Sequence, residues 1–72
     1  MVEIFRTNVK SKRLAGKIIK ALQTRLPAFH FNFDLDDCDR ILRVQSNGRP
    51  VECTKIMQIV QGHEIEISLF EE

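Results

Sequence analysis

An α+β fold with the element order βαββαβ is what this sequence predicts, and three observations carry it. Apolar residues recur at helical spacing in two separate segments, they alternate at a period of two in four others, and turn residues fall at the junctions. The 72 residues allow a single domain, residues 1–72, near the size where one apolar core only just offsets chain entropy. A hydrophobic share of 43% beside 29% charged residues is the composition of a globular chain, not a disordered one.

"VEIFRTNV", residues 2–9, is rich in β-branched and aromatic residues and reads as a first strand. Val2 and Ile4 point one way and Phe5, Thr7 and Val9 the other, and the sequence leaves open which set is buried. Ser11 then precedes Leu14, Ala15, Ile18, Ile19, Leu22 and Leu26, a stripe at helical spacing whose other positions carry Lys12, Arg13, Lys17, Lys20 and Arg25. The spacing predicts an amphipathic helix capped by Ser11 and ended by Pro27.

"FHFNFDL" alternates without a break, with Phe29, Phe31, Phe33 and Leu35 on one face and His30, Asn32 and Asp34 on the other. This predicts a half-buried strand. After the polar turn "DDCDR", "ILRVQS" returns as a third strand with Leu42 and Val44 inward, completing a hairpin. Asn47-Gly48 marks a turn and Pro50 suits the first turn of a second helix. Its buried face is Val51, Cys53, Ile56, Met57 and Val60, and Gly62 stops it. "EIEISLF" closes the chain as a fourth strand, with Ile65, Ile67 and Leu69 set against Glu64, Glu66 and Ser68.

Two right-handed βαβ crossovers sharing one antiparallel sheet make a ferredoxin-like sandwich, with strand order 4-1-3-2, both helices on one face and the other face open to water. The predicted core is the phenylalanine face of the second strand, Leu42, Val44, Ile65, Ile67 and the two helical stripes.

The net charge of +1 conceals a division. Lys10, Lys12, Arg13, Lys17, Lys20 and Arg25 lie in a stretch with no acidic residue, whereas Asp34, Asp36, Asp37 and Asp39, and again Glu64, Glu66, Glu71 and Glu72, gather the opposite sign. Attraction of the whole chain to nucleic acid is therefore not indicated. Two cysteines, Cys38 and Cys53, are too few for a disulfide framework and read as free thiols. The chain has no apolar run near the roughly 20 residues that span a bilayer, and its start lacks a signal-peptide pattern. A cytoplasmic protein with no membrane association is expected.

"FRTNVKSKRL", "KIIKALQTRLPAFHFNFDLDDCDRILRV" and "KIMQIVQGHEIE" together resemble, over almost the whole chain, the heavy-metal-associated domain of copper chaperones and metal-pumping ATPases. In that family an apolar residue is followed two positions later by Cys-x-x-Cys. Val9 falls on the apolar position, Ser11 on the first cysteine and Leu14 on the second. The family's pair of thiolates holds Cu(I) or Zn(II) because soft sulfur suits those metals. Serine is a hard, weak ligand and leucine none, so the resemblance implies a degenerate member without the metal site and with no cofactor. On this reading Ser11 caps the helix and Leu14 packs into the core.

What the loop keeps is charge. Lys10, Lys12 and Arg13 crowd a helix N-terminus, where each cation is disfavoured by about 0.3 to 1 kcal/mol. An anion would relieve that, so Lys10, Ser11, Lys12, Arg13 and Lys17 are the candidate docking residues for an acidic protein surface or a small anion. The plainer alternative leaves these long side chains solvated.

Other patterns say less. "DLDDCD" lacks the glycine and terminal glutamate of a calcium loop. Cys53 reads as a core residue, and Cys38, among aspartates, as a poor thiolate. No nucleophile triad, glycine-rich phosphate loop or paired His-Glu motif is present, so no enzyme is indicated. An RNA platform fares poorly, since Phe5 is the one ring able to face outward and Asp34, Glu64 and Glu66 would repel phosphates. Two functions remain: a metal-free interaction module, monomeric or weakly dimeric, and a metal-binding or metal-transfer protein with a non-standard site drawn from Cys38, His30 and His63.

Overall fold

The computed structural model describes residues 1–36 and 38–70. Along them run β1 (Val2–Thr7), α1 (Lys12–Arg25), β2 (Phe29–Asp34), β3 (Ile41–Ser46), α2 (Cys53–Gln61) and β4 (Ile67–Leu69). The strands form one antiparallel sheet in the order β2-β3-β1-β4, the predicted 4-1-3-2 read from the other edge. Helix α1 packs on β2 and on α2, and α2 packs on β4, giving the ferredoxin-like βαββαβ layout.

The face of β1 that the sequence left open is decided by Phe5, which is 0% exposed, while Val2 is 54% exposed. Register places Phe5 between Leu42 of β3 and Leu69 of β4, and Phe31 beside Val44, so the aromatic rows of β1 and β2 share one side with the helices. Ile18 and Leu22 of α1 and Ile56 and Val60 of α2 close over them. Each such side chain contributes about 1.5 to 3 kcal/mol when fully buried. Phe29 and Phe31 meet edge to face with centroids 6.4 Å apart.

Several boundaries differ from expectation. Strand β1 stops at Thr7, and the buried Val9 follows outside it. Helix α2 begins at Cys53 with Glu52 as its cap residue, so Pro50 and Val51 lie in the connection and not in the first turn. Gly62 does end α2, but at φ −62 it is right-handed; the left-handed residue is Glu64, at φ 62. Gly48, at φ 79, takes the left-handed conformation that its Asn-Gly turn needs.

Strand β4 spans only Ile67–Leu69, and Leu69 is 42% exposed instead of joining Ile65 and Ile67 in the core. An edge strand has a neighbour on one side alone, so its outer side chains keep contact with water. On the opposite sheet face Ile41 is nevertheless 7% exposed. Its cross-strand neighbour Arg6 is held over that face by Asp39 at 3.3 Å and by the Phe70 ring, 5.0 Å from the guanidinium. That face is therefore partly covered.

Candidate docking site at the start of the first helix

The turn between β1 and α1 is fastened from below. The Thr7 hydroxyl donates to the Arg40 carbonyl at 2.6 Å and accepts the Val9 N–H at 3.3 Å, and Val9 itself is 0% exposed. With Val9 as an apolar anchor, the residues that follow turn outward. Lys10, Ser11, Lys12 and Arg13 are all exposed.

Ser11 adopts the extended backbone of an N-cap, φ −126 and ψ 145, and its hydroxyl accepts the Leu14 N–H at 3.0 Å. Its carbonyl takes the Ala15 N–H at 3.0 Å. Among the described residues the N–H groups of Lys12 and Arg13 have no partner, as the first turn of a helix dictates. Leu14 is half-buried and packs against the core.

No acidic residue occupies the first turn of α1, and Arg25 lies in the last. Arg13, Lys17 and Lys20 fall at i, i+4 and i+7, so they line one exposed side of the helix. A shallow apolar-floored groove of about 440 Å³ runs beside them, bounded by Lys17, Lys20, Ala21, Thr24 and Arg25. The salt bridges seen among the described residues, Arg6–Asp39 and Lys55–Glu52, involve none of these cations. All five predicted docking residues are thus exposed, but they divide: Arg13 and Lys17 lie along this side of α1, whereas Lys12 borders the groove toward β2 beside Asp34 and Asp36.

The residues considered for a metal are spread out. His30 is exposed on β2 at one edge of the sheet, Cys38 is exposed in the β2–β3 turn, and His63 follows α2, which packs on β4 at the other edge. Among the described residues no group of three or more His, Cys, Asp or Glu comes together. Asp37, Glu71 and Glu72 of the acidic clusters lie outside the described residues. Cys53 is half-buried against the core, and its pKa is pushed up by burial and then by Glu3.

The chain matches no family model, no curated protein and no solved structure.

Two features escaped the sequence reading. Glu3 falls on the same side of β1 as Phe5, which brings its carboxylate to the start of α2; parity along the strand implied this once the buried face was known. Phe5 offers no ring on the outer face, where Phe70 stands instead beneath Arg6. Arg6 and Arg43 occupy that face among Asn32, Asp34 and Ser68, so it is mixed in charge and not simply acidic. No described helix is long and apolar enough to cross a membrane.

Proposed function

We propose that this chain is a non-enzymatic interaction module, a relative of the heavy-metal-associated domain that has lost its soft-metal ligands and docks on an acidic protein surface. The observation that carries this reading is the line of cations Arg13, Lys17 and Lys20 along one side of α1, with Lys10 and Lys12 at its start beside two free helix N–H groups, none of them ion-paired among the described residues. A single small anion would engage only the first turn. An extended acidic segment would engage the whole line and the groove beside it.

The loop supports the loss of metal chemistry, since Ser11 spends its hydroxyl on the Leu14 N–H and Leu14 spends its side chain on the core. Two thiols without a disulfide, Cys38 and Cys53, suit a reducing compartment such as the cytoplasm.

The test is titration with polyglutamate, followed by amide shifts, with inorganic phosphate as the small-anion comparison. Shifts are expected from Lys10 to Arg25, weakening as salt screens the charges, and lost in Lys10→Ala/Lys12→Ala/Arg13→Ala with the fold intact. Salt-independent binding, or binding that survives the triple substitution, overturns the reading.

A further inference from the structure

The two edges of the sheet are unlike. Strand β4 has 3 residues, too short to template another strand, whereas β2 has 6 and contains no Lys, Arg or Pro, bulge or inward charge of the kind that protects an edge. Sequence FHFNFD makes the strand apolar toward the helices and polar on the other face.

The direction of the backbone groups of β2 follows from the bonds at the far end of β3. Ser46 donates to the Met1 carbonyl and the Met1 amino group to the Ser46 carbonyl, both at 2.8 Å, so Met1 and Ser46 form a hydrogen-bonded pair. Alternation along the ladder then aims Leu42 and Val44 at β1, and Ile41, Arg43 and Gln45 at β2. Their partners Asp34, Asn32 and His30 point back at β3. The N–H and C=O groups of Phe29, Phe31, Phe33 and Leu35 therefore face the open edge.

Two of these groups are already engaged: the Phe29 N–H donates to the Leu26 carbonyl at 3.2 Å, and the Leu35 carbonyl accepts from Arg40 Nη1 at 3.1 Å. What remains is self-complementary about a two-fold axis through Asn32. We propose that β2 pairs with β2 of a second copy, antiparallel and centred on Asn32, joining the two sheets into one.

In this register Phe31 and Phe33 exchange both backbone bonds with their counterparts, and each Leu35 N–H meets a Phe29 carbonyl, both without a partner among the described residues. The positions already used within the chain are the ones the pairing does not need. On the outer face His30 lies opposite Asp34 of the other copy, twice. These are non-hydrogen-bonded positions, where side chains approach closest, so an imidazole N–H donates to a carboxylate on each side of the axis. Neither residue has an ion-pair partner among the described residues.

At this edge the pairing covers a groove of about 520 Å³ between α1 and β2, apolar at Ile19, Phe33 and Leu35 but rimmed by charged side chains including Lys12 and Asp36, with open space beside Gly16. Phe33, Leu35 and Ile19 are the half-buried fringe of the core, and the same residues of a second copy would complete it. The neighbouring register, with Phe31 opposite itself, sets His30 against Asn32 and loses the charge match.

The interface is small, so sedimentation velocity on the full chain is run up to about 1 mM. Reversible dimerisation is expected. Asn32→Lys, which brings two cations together on the axis, weakens it at least about tenfold without unfolding the monomer. His30→Asp also weakens it, and His30→Asp/Asp34→His restores it. Asn32→Cys/Cys38→Ser places two sulfurs at positions about 4.5 Å apart between Cα atoms, so oxidised glutathione links it into a dimer. His30→Cys/Cys38→Ser, far from its own counterpart, stays unlinked. A monomer at every concentration, a dimer indifferent to Asn32→Lys, or equal cross-linking of the two cysteine variants overturns the proposal.

Discussion

The thiol of Cys53 lies 3.7 Å from Oε2 of Glu3, a residue 50 positions earlier, and donates its hydrogen toward that carboxylate. Burial, and then the negative charge of Glu3, hold the Cys53 pKa above its ordinary value. Alkylation at neutral pH is therefore expected to modify exposed Cys38 first and Cys53 slowly. Glu3→Gln raises the Cys53 rate, by removing the second of the two causes. Mass-resolved labelling checks this, and faster labelling of Cys53 than Cys38 would contradict it.

The same contact gives a pH dependence. A thiol whose pKa is raised by folding holds its proton more tightly in the folded state, so its contribution is complete below the ordinary thiol pKa and is lost as pH rises through the folded value. Urea unfolding is expected to show stability falling as pH rises past the ordinary thiol pKa, and falling less steeply in Cys53→Ser. Equal slopes would remove Cys53 as the source.

Thr7 is 8% exposed, and its hydroxyl serves both Arg40 and Val9. Thr7→Val keeps the shape but strands the buried Val9 N–H. The expected loss is about 1 to 3 kcal/mol, read by urea denaturation.

Ser11→Ala removes the cap from α1 and is expected to cost about 0.5 to 2 kcal/mol. Ser11→Asp retains the acceptor and adds charge of the sign the helix start favours, so it equals or exceeds the wild type in stability. An aspartate variant as weak as the alanine variant would mean the cap bond contributes little.

Glu64 holds φ 62 without the freedom of glycine, a conformation costing roughly 1 to 2 kcal/mol for a residue with a β-carbon. Glu64→Gly is expected to raise the melting temperature. Gly62→Ala, by contrast, places a β-carbon 3.2 Å from the Ile59 carbonyl oxygen and gains nothing.

The resemblance to the metal-binding loop is tested by Ser11→Cys/Leu14→Cys. Residues at the N-cap and three positions on lie close together at a helix start, and Lys10, Lys12 and Arg13 favour thiolates there. One Cu(I) or Zn(II) per chain is expected, bound more weakly on acidification, with a stability loss below the full 2 to 5 kcal/mol or so of a buried leucine because Leu14 is half-buried. Competition against a chelator measures it. A folded double mutant that binds no better than wild type ends the comparison with that family.

Strand and helix order, the Ser11 cap, the inward set on β2 and β3 and the basic side of α1 were all determined by the sequence, because periods of two and of 3.6 and a capping serine act within a few residues of themselves. What only the tertiary structure decided depends on contacts between distant residues. Phe5 faces inward because β3 and β4 flank it with Leu42 and Leu69. Leu69 alternates like a core residue yet stays exposed because β4 ends the sheet, and Ile41 is covered on the outer face by an arginine 35 residues earlier in the chain, Arg6. Alternation says that two faces differ; which face is dry, and how far coverage extends to an edge, is set by the neighbours that the fold places there.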